Sequence, residues 1–370
     1  MPVPLLDLRA QHALIRDEVV SAMMQVVEDQ LFILGGAVER LETEVAELAR
    51  TSHAIGCASG TDALLLALKA LDIGRGDEVV TTPFTFFATA GTIHNAGATP
   101  VFCDIEPDTF NISPEGAAAA CTSRTRALIP VDLFGQMAAL ERISALIPDQ
   151  PVIEDAAQTI GASRMIDGSR VMAGERATIG TFSFFPSKNL GGYGDGGMMV
   201  TQDAGIAQRL RRLRVHGGLK TYFHEEVGFN SRLDALQAAV LSAKLPHLHH
   251  WSAGRRANAA YYTSALADVA EVRTPYVDPA NESIFNQYTI RAERRDALQA
   301  HMKAHGIGNS VYYPLPLHLQ PCFAYLELQQ GAFPEAERAS TEVLSLPIYP
   351  ELTSAQLDEV VSAIRAFYGR

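Results

Sequence analysis

Apolar residues recur at helical spacing over roughly residues 12–29 and again over 37–50, so the chain is expected to open with two amphipathic helices. From His53 to about Gly217 the pattern changes to short apolar runs alternating with amphipathic stretches. Runs that are apolar on both faces predict buried strands of a mostly parallel sheet, and the stretches between them predict helices crossing to the next strand. A longer helical pattern begins at Arg232 and breaks at Pro246, which has no N–H to donate. Beyond about Trp251 the pattern scatters, with Phe285 to Arg291 and Arg294 to His305 as its clearest pieces. The expected organisation is an α/β domain over residues 1–250 and a smaller α+β domain over 251–370. No internal repeat is evident, and Ala117 to Ala120 is a short helix-favouring tract.

Candidate chemistry concentrates in the α/β part. Ser183 to Gly197 reads SFFPSKNLGGYGDGG, which sets Lys188 between an aromatic-rich strand pattern and a glycine-rich loop. Taken alone, a lysine after Pro-Ser reads as a solvated loop residue. A desolvated ammonium sheds its proton more easily, and the free amine attacks carbonyl carbon. Thirty-three residues earlier, Val152-Ile153-Glu154-Asp155 is an apolar strand ending in a carboxylate. Open α/β sheets bind ligands at such strand ends. Asp155 is either a helix cap or the counter-ion of a protonated pyridine nitrogen. With Lys188 it supplies what a pyridoxal 5'-phosphate site needs, an anchor for the aldehyde and a partner that keeps the ring protonated.

A third element is Ala58-Ser59-Gly60-Thr61-Asp62-Ala63, between the apolar segment His53 to Cys57 and the run Leu64 to Leu68. Strand, Ser-Gly-Thr and helix in succession gather free N–H groups and a positive dipole end, which suits a phosphate dianion. Ser59 or Thr61 can equally be an ordinary helix cap.

These three segments, in this order, resemble the sugar aminotransferases of the DegT/DnrJ/EryC1/StrS family. The resemblance covers nearly the whole chain, through ASGTDALLLAL from Ala58, GDEVV from Gly76, PFTFFAT from Pro83, GATPVFCDI from Gly97 and LIPVDLFGQ from Leu128. It continues through IEDAAQTIGA from Ile153, the lysine loop, LRVHG from Leu213, GFNSRLDALQAAVLSAKL from Gly228, YPLPLHLQ from Tyr313 and LSLPIYP from Leu344. The resemblance implies an α/β fold of the fold-type I pyridoxal phosphate transferases, the aspartate aminotransferase-like architecture. It also implies that Lys188 carries the cofactor aldehyde as a Schiff base, that Asp155 faces the ring nitrogen and that Gln158 lies by the ring hydroxyl. Phe86 would stack on the ring, while Gly60, Thr61 and Ser183 would hold the phosphate. Asn230 would reach the phosphate of the neighbouring subunit's cofactor. Family dehydratases carry histidine in place of the lysine, so Lys188 aligns this chain with the members that transfer an amine.

The resemblance further implies L-glutamate as amine donor, leaving as 2-oxoglutarate, a nucleotide-linked keto sugar as acceptor, and a homodimer with shared active sites. The segment Tyr313 to Gln320 looks like the branch that aminates C-3 of a keto hexose. C-4 amination and a non-catalytic sensor that keeps the fold are the alternatives. Tyr313 is the expected substrate contact, and Arg232 would meet a carboxylate or diphosphate across the interface. His318 touches substrate or closes a turn.

Composition narrows the remaining classes. With 30 basic and 42 acidic side chains the formal charge is −12, which argues against nonspecific nucleic-acid binding. Hydrophobic residues at 47% make extensive disorder unexpected. The start, Met1 to Asp7, shows no basic lead and apolar core, and no uncharged stretch is long enough to span a bilayer, so a cytoplasmic protein is expected. Cys57, Cys103, Cys121 and Cys322 lie without metal-ligand spacing and are expected to be reduced and mostly buried. Gly192 to Gly197 satisfies G-x-G-x-x-G, but a strand-like Met198 to Thr201 follows it where a dinucleotide site needs a helix. The basic cluster Arg209, Arg211, Arg212 and Arg214 is expected to be a solvated helix end. The same is expected of His247, His249 and His250, which lack a metal-site partner.

Overall fold

The computed structural model describes residues 2–370; Met1, where the N-terminal segment read above begins, lies outside them. Helices α1 (Leu8–Asp29) and α2 (Gly36–Leu48) open the chain. α1 begins earlier than its apolar spacing predicts because the Asp7 carboxylate accepts the amides of Arg9 and Ala10.

The α/β region then runs through β1 (His53–Cys57), α3 (Gly60–Ala70), β2 (Glu78–Thr81), α4 (Phe87–Ala96), β3 (Thr99–Phe102), α5 (Pro114–Ala120) and β4 (Thr125–Ile129). It continues with α6 (Leu140–Leu146), β5 (Ile153–Asp155), the hairpin β6 (Ser163–Ile166) and β7 (Ser169–Met172), β8 (Ile179–Ser183), β9 (Gly197–Thr201) and α7 (Ala204–Leu213). Strands order as β3-β2-β4 and β5-β8-β9-β1, and parallel bridges Leu128–Val152 and Val131–Asp155 join the two sets edge to edge. The sheet is mostly parallel, as expected, but β9 runs antiparallel to both β8 and β1. No helix lies between β8 and β9, so the lysine-bearing segment turns the chain back instead of crossing over.

Both faces of the sheet are covered. Ile55, Ile129, Ile153, Ile179 and Met199 are buried with side chains of α3 and α7. The alternate positions Ala54, Phe182, Met198 and Val200 pack with α2 and with α8 (Ala235–Lys244). Asp234, not Arg232, caps α8, its carboxylate accepting the Gln237 amide. Pro246 produces a 3₁₀ turn over Leu245–His247 before α9 (Leu248–Ala265). The expected boundary at residue 250 therefore falls inside α9, where Trp251 is buried against Ile15, Val19 and Val240.

A second core gathers Tyr262 and Leu266 with β10 (Tyr288–Ala292), β11 (Val343–Leu346) and the helix Ser354–Phe367. Val3 joins it from the start of the chain, paired with Ile307. β10 begins later than the apolar run predicts. Residues 284–287 bend instead, with Phe285 at φ 44°, so that Ile284 and Gln287 donate to the carbonyls of Gly135 and Phe134.

Three surface readings need correction. Arg214 is no solvated helix end: it is 8% exposed and donates to Glu42 and the Gly56 carbonyl. Arg209 and Arg212 are tied to Asp72, Glu225 and Glu226. His247 pairs with Glu18 and stacks on Trp251. All four cysteines are free, but only Cys57 and Cys103 are buried and Cys322 is exposed. Among the described residues no helix is long and apolar enough to cross a membrane.

Candidate active site

The C-terminal ends of β5 and β8 and the N-terminus of α3 converge on a cavity of about 440 Å³ lined by Gly60, Thr61, Phe86, Asp155, Gln158, Ser183, Lys188 and Tyr313, among others. Eight residues singled out in the sequence thus meet in one place, although 253 positions separate the first from the last.

Lys188 follows Pro186-Ser187, and its amide donates to the Phe185 carbonyl at 2.8 Å. Its Nζ has no hydrogen-bond partner among the described residues. Burial lowers its pKa to about 8, while the Asp155 charge holds it up. The lysine is therefore poised to lose its proton near neutral pH.

Asp155 ends β5 as a buried carboxylate. Its Oδ2 accepts the Thr89 hydroxyl at 2.8 Å, and its Oδ1 accepts the Ala157 amide at 3.3 Å. No helix begins there, so the carboxylate is not a helix cap. Burial pushes the carboxyl up, and the Thr89 hydroxyl and the Lys188 ammonium pull it down. Thr89 lies within PFTFFAT, where no motif marks it as a partner of Asp155. The available signal was its position one helical turn after Thr85, whose hydroxyl it meets at 3.0 Å.

Gln158 is held on both sides, its Oε1 accepting the Phe134 amide at 2.7 Å and its Nε2 donating to the Tyr313 hydroxyl at 3.3 Å. Phe86 precedes α4, more than half exposed, with its ring 6.5 Å from that of Tyr313. Tyr312 and Gln287 also line the cavity, brought by tertiary folding with no motif to announce them.

The opposite end of the cavity tests whether a phosphate fits. Ser59 caps α3, its hydroxyl accepting the Asp62 amide at 3.1 Å. A Cβ on Gly60 would lie 2.6 Å from Ser183 Cβ, and one on Gly197 would lie 2.3 Å from the Ser59 carbonyl. Glycine at both positions lets the β8–β9 edge close against the helix N-terminus and leaves a cradle of backbone and hydroxyl groups. An unpartnered amine, a buried carboxylate, an exposed aromatic face and this cradle together fit pyridoxal phosphate.

Three expected residues do not line this cavity. His318 is buried elsewhere, bonded to Glu337 at 3.0 Å with its ring against Phe333, so it supports the loop before the helix Pro334–Glu342. Asn230 and Arg232 flank Ser231, which is 2% exposed and bonds Asp62 and the Ala58 amide. Alternation along this extended segment points Asn230 and Arg232 away from their own chain's cradle.

This fold and this cavity define a fold-type I pyridoxal phosphate-dependent enzyme. The DegT/DnrJ/EryC1/StrS aminotransferase family model matches residues 13–365. The chain belongs to that family and is a pyridoxal phosphate-dependent aminotransferase. It is 51% identical to the "Pleiotropic regulatory protein" of Geobacillus stearothermophilus, over 100% of this chain and 99% of the relative. It is 46% identical to the UDP-N-acetyl-3-dehydro-alpha-D-glucosamine 3-aminotransferase of Acidithiobacillus ferrooxidans, over 98% and 97% of the two chains. The crystal structure of S. venezuelae DesV in complex with a ketimine intermediate matches with TM-score 0.96 and 41% identity, covering 100% of this chain and 99% of that one.

Proposed function

We propose that the enzyme moves an amino group from L-glutamate to the C-3 keto group of a nucleotide-linked sugar. The observation that carries this reading is the single cavity holding an unpartnered Lys188 opposite a buried Asp155. The position on the sugar is supported by the relative named as a 3-aminotransferase. When bound, pyridoxal phosphate supplies an electrophilic aldehyde and a ring that withdraws electrons from the carbon bearing the amine. Lys188 Nζ would hold the aldehyde, and its free amine would be the base that moves a proton at the reacting carbon. Asp155 would keep the ring nitrogen protonated, Phe86 would cover a ring face and Gln158 would meet the ring hydroxyl. Gly60, Thr61 and Ser183 would hold the phosphate, and the Tyr313 hydroxyl would meet substrate.

Asn230 and Arg232 complete the site of a second copy in a cytoplasmic homodimer. Their outward direction supports this, as do Tyr222 and Val227 in the preceding segment, apolar side chains that are 91% and 94% exposed. The separate cores support a large cofactor-binding domain over 1–250 and a small domain over 251–370. A panel of 3-keto and 4-keto nucleotide sugars assayed with glutamate tests the function, with product NMR locating the new nitrogen. Nitrogen on C-4 overturns the position.

A further inference from the structure

The apolar strand that ends at Asp155 carries a second carboxyl, Glu154, for which the aminotransferase reaction has no use. Neighbouring strand residues point to opposite faces, so Glu154 lies on the other side of β5 from the cavity side chain of Asp155. It is 0% exposed, and so is the carboxyl it meets, Asp132, just beyond β4. Among the described residues no cation pairs with them; the charged groups acting on the pair are each other and Asp155.

Hydrogen bonds distinguish the two partners. Asp132 Oδ1 accepts the Ala138 amide and Oδ2 accepts the Thr159 hydroxyl, each at 2.8 Å. Both of its oxygens are filled by donors, as suits an ionised carboxylate. Glu154 Oε2 accepts the Gly174 amide at 3.0 Å, but Oε1 is buried with no donor. An oxygen that lacks a donor and faces a neighbouring carboxylate is where an O–H belongs.

We propose that Glu154 carries a locked proton and donates it to an ionised Asp132, so that the pair forms one fixed negative charge beneath Asp155 and the two act as its positioning residues. Burial and the Asp132 charge, which push the Glu154 carboxyl well above the usual range, are in keeping with this assignment. The pair is joined to Asp155 by backbone as well as by field. The Asp132 amide donates to the Asp155 carbonyl at 3.0 Å, and the Asp155 amide donates to the Pro130 carbonyl at 2.9 Å. A fixed charge behind Asp155 makes the inner end of the cavity more negative and strengthens proton retention by the group that Asp155 faces. This last step rests on the reading of Asp155 as partner of the ring nitrogen; the proton-sharing pair itself does not.

Infrared spectra of the apoprotein at neutral pH separate the two parts. Wild type is expected to show the carbonyl stretch of a buried protonated carboxyl, and Glu154→Gln is expected to lose it while Asp155→Asn keeps it. A wild type without that band, or a Glu154→Gln variant that retains it, overturns the pair whatever Asp155 does. In the holoenzyme, Glu154→Gln keeps the charge on Asp132 and is expected to retain kcat within about threefold. The double variant Glu154→Gln, Asp132→Asn removes the charge. It is expected to lose about tenfold in kcat and to shift the alkaline limb of its pH profile downward, because a site that must stay protonated loses its proton at lower pH once the charge is gone. A double variant that matches the single one in both kcat and pH profile overturns the electrostatic role.

Discussion

Two lysines lie on either side of the same glycine-rich loop, and burial lowers both to a pKa of about 8. Lys188 faces the cavity with no hydrogen-bond partner on Nζ. Lys244, 2% exposed at the end of α8, donates to the Gly191 carbonyl at 2.5 Å and lies over the rings of Tyr193 and Trp251. Seven residues earlier on α8, the Gln237 side chain accepts the Tyr193 amide at 2.7 Å. One face of α8 thus grips the back of the loop whose front presents Lys188. A lowered pKa alone does not distinguish a reactive lysine from a structural one. The distinction lies in whether the amine is already satisfied and whether a ligand-sized space stands before it.

Substitution separates the two lysines most sharply. Lys188→Ala is expected to abolish the visible absorbance of the cofactor held on lysine and to cut transamination by roughly 10³-fold or more, since anchor and proton carrier vanish together. Lys244→Met should keep that absorbance and lose no more than about tenfold in turnover. Equal losses in the two variants would show that the loop works only as a unit.

Asp155→Ala is the next largest expected effect. The variant should still bind pyridoxal phosphate, because Lys188 and the phosphate cradle remain, but stopped-flow rates of the glutamate half-reaction should fall by on the order of a hundredfold. An unchanged rate would remove Asp155 from the chemistry.

The pH dependence of cofactor capture sharpens the comparison further. Only the free amine attacks the aldehyde, and a lysine with pKa about 8 is protonated below that pH. The rate at which apoprotein captures pyridoxal phosphate should therefore rise about tenfold per pH unit below 8 and level off above it. Lys244→Met should leave this midpoint in place, and a midpoint that moves with Lys244 would mean that the two lysines titrate together.

The smallest expected effect is on stability. Lys244→Met leaves the buried Gly191 carbonyl without its donor, at a cost of about 1–3 kcal/mol, and relieves the desolvation of the ammonium, which offsets part of it. Calorimetry on the apoprotein should show Tm lower by a few degrees, roughly what a net 1 kcal/mol does in a chain of this size.

Local pattern determined much of this protein. Alternating short apolar runs and amphipathic stretches encode the layered α/β sheet, because both periodicities are properties of a few consecutive residues. Lys188, Asp155 and the Ser59-Gly60-Thr61 turn were legible for the same reason, each lying at a strand or helix end marked by its neighbours. Tertiary structure decided the rest. The reversal of β9 depends on the absence of a crossover helix. The burial of Arg214 depends on Glu42, 172 residues away. The removal of His318 to Glu337, the outward direction of Asn230 and Arg232, and the meeting of Glu154 with Asp132 all depend on which distant segments pack together. Desolvation and hydrogen-bond satisfaction are set by those distant neighbours, so a residue's type and spacing name its possible chemistry while packing selects among the possibilities.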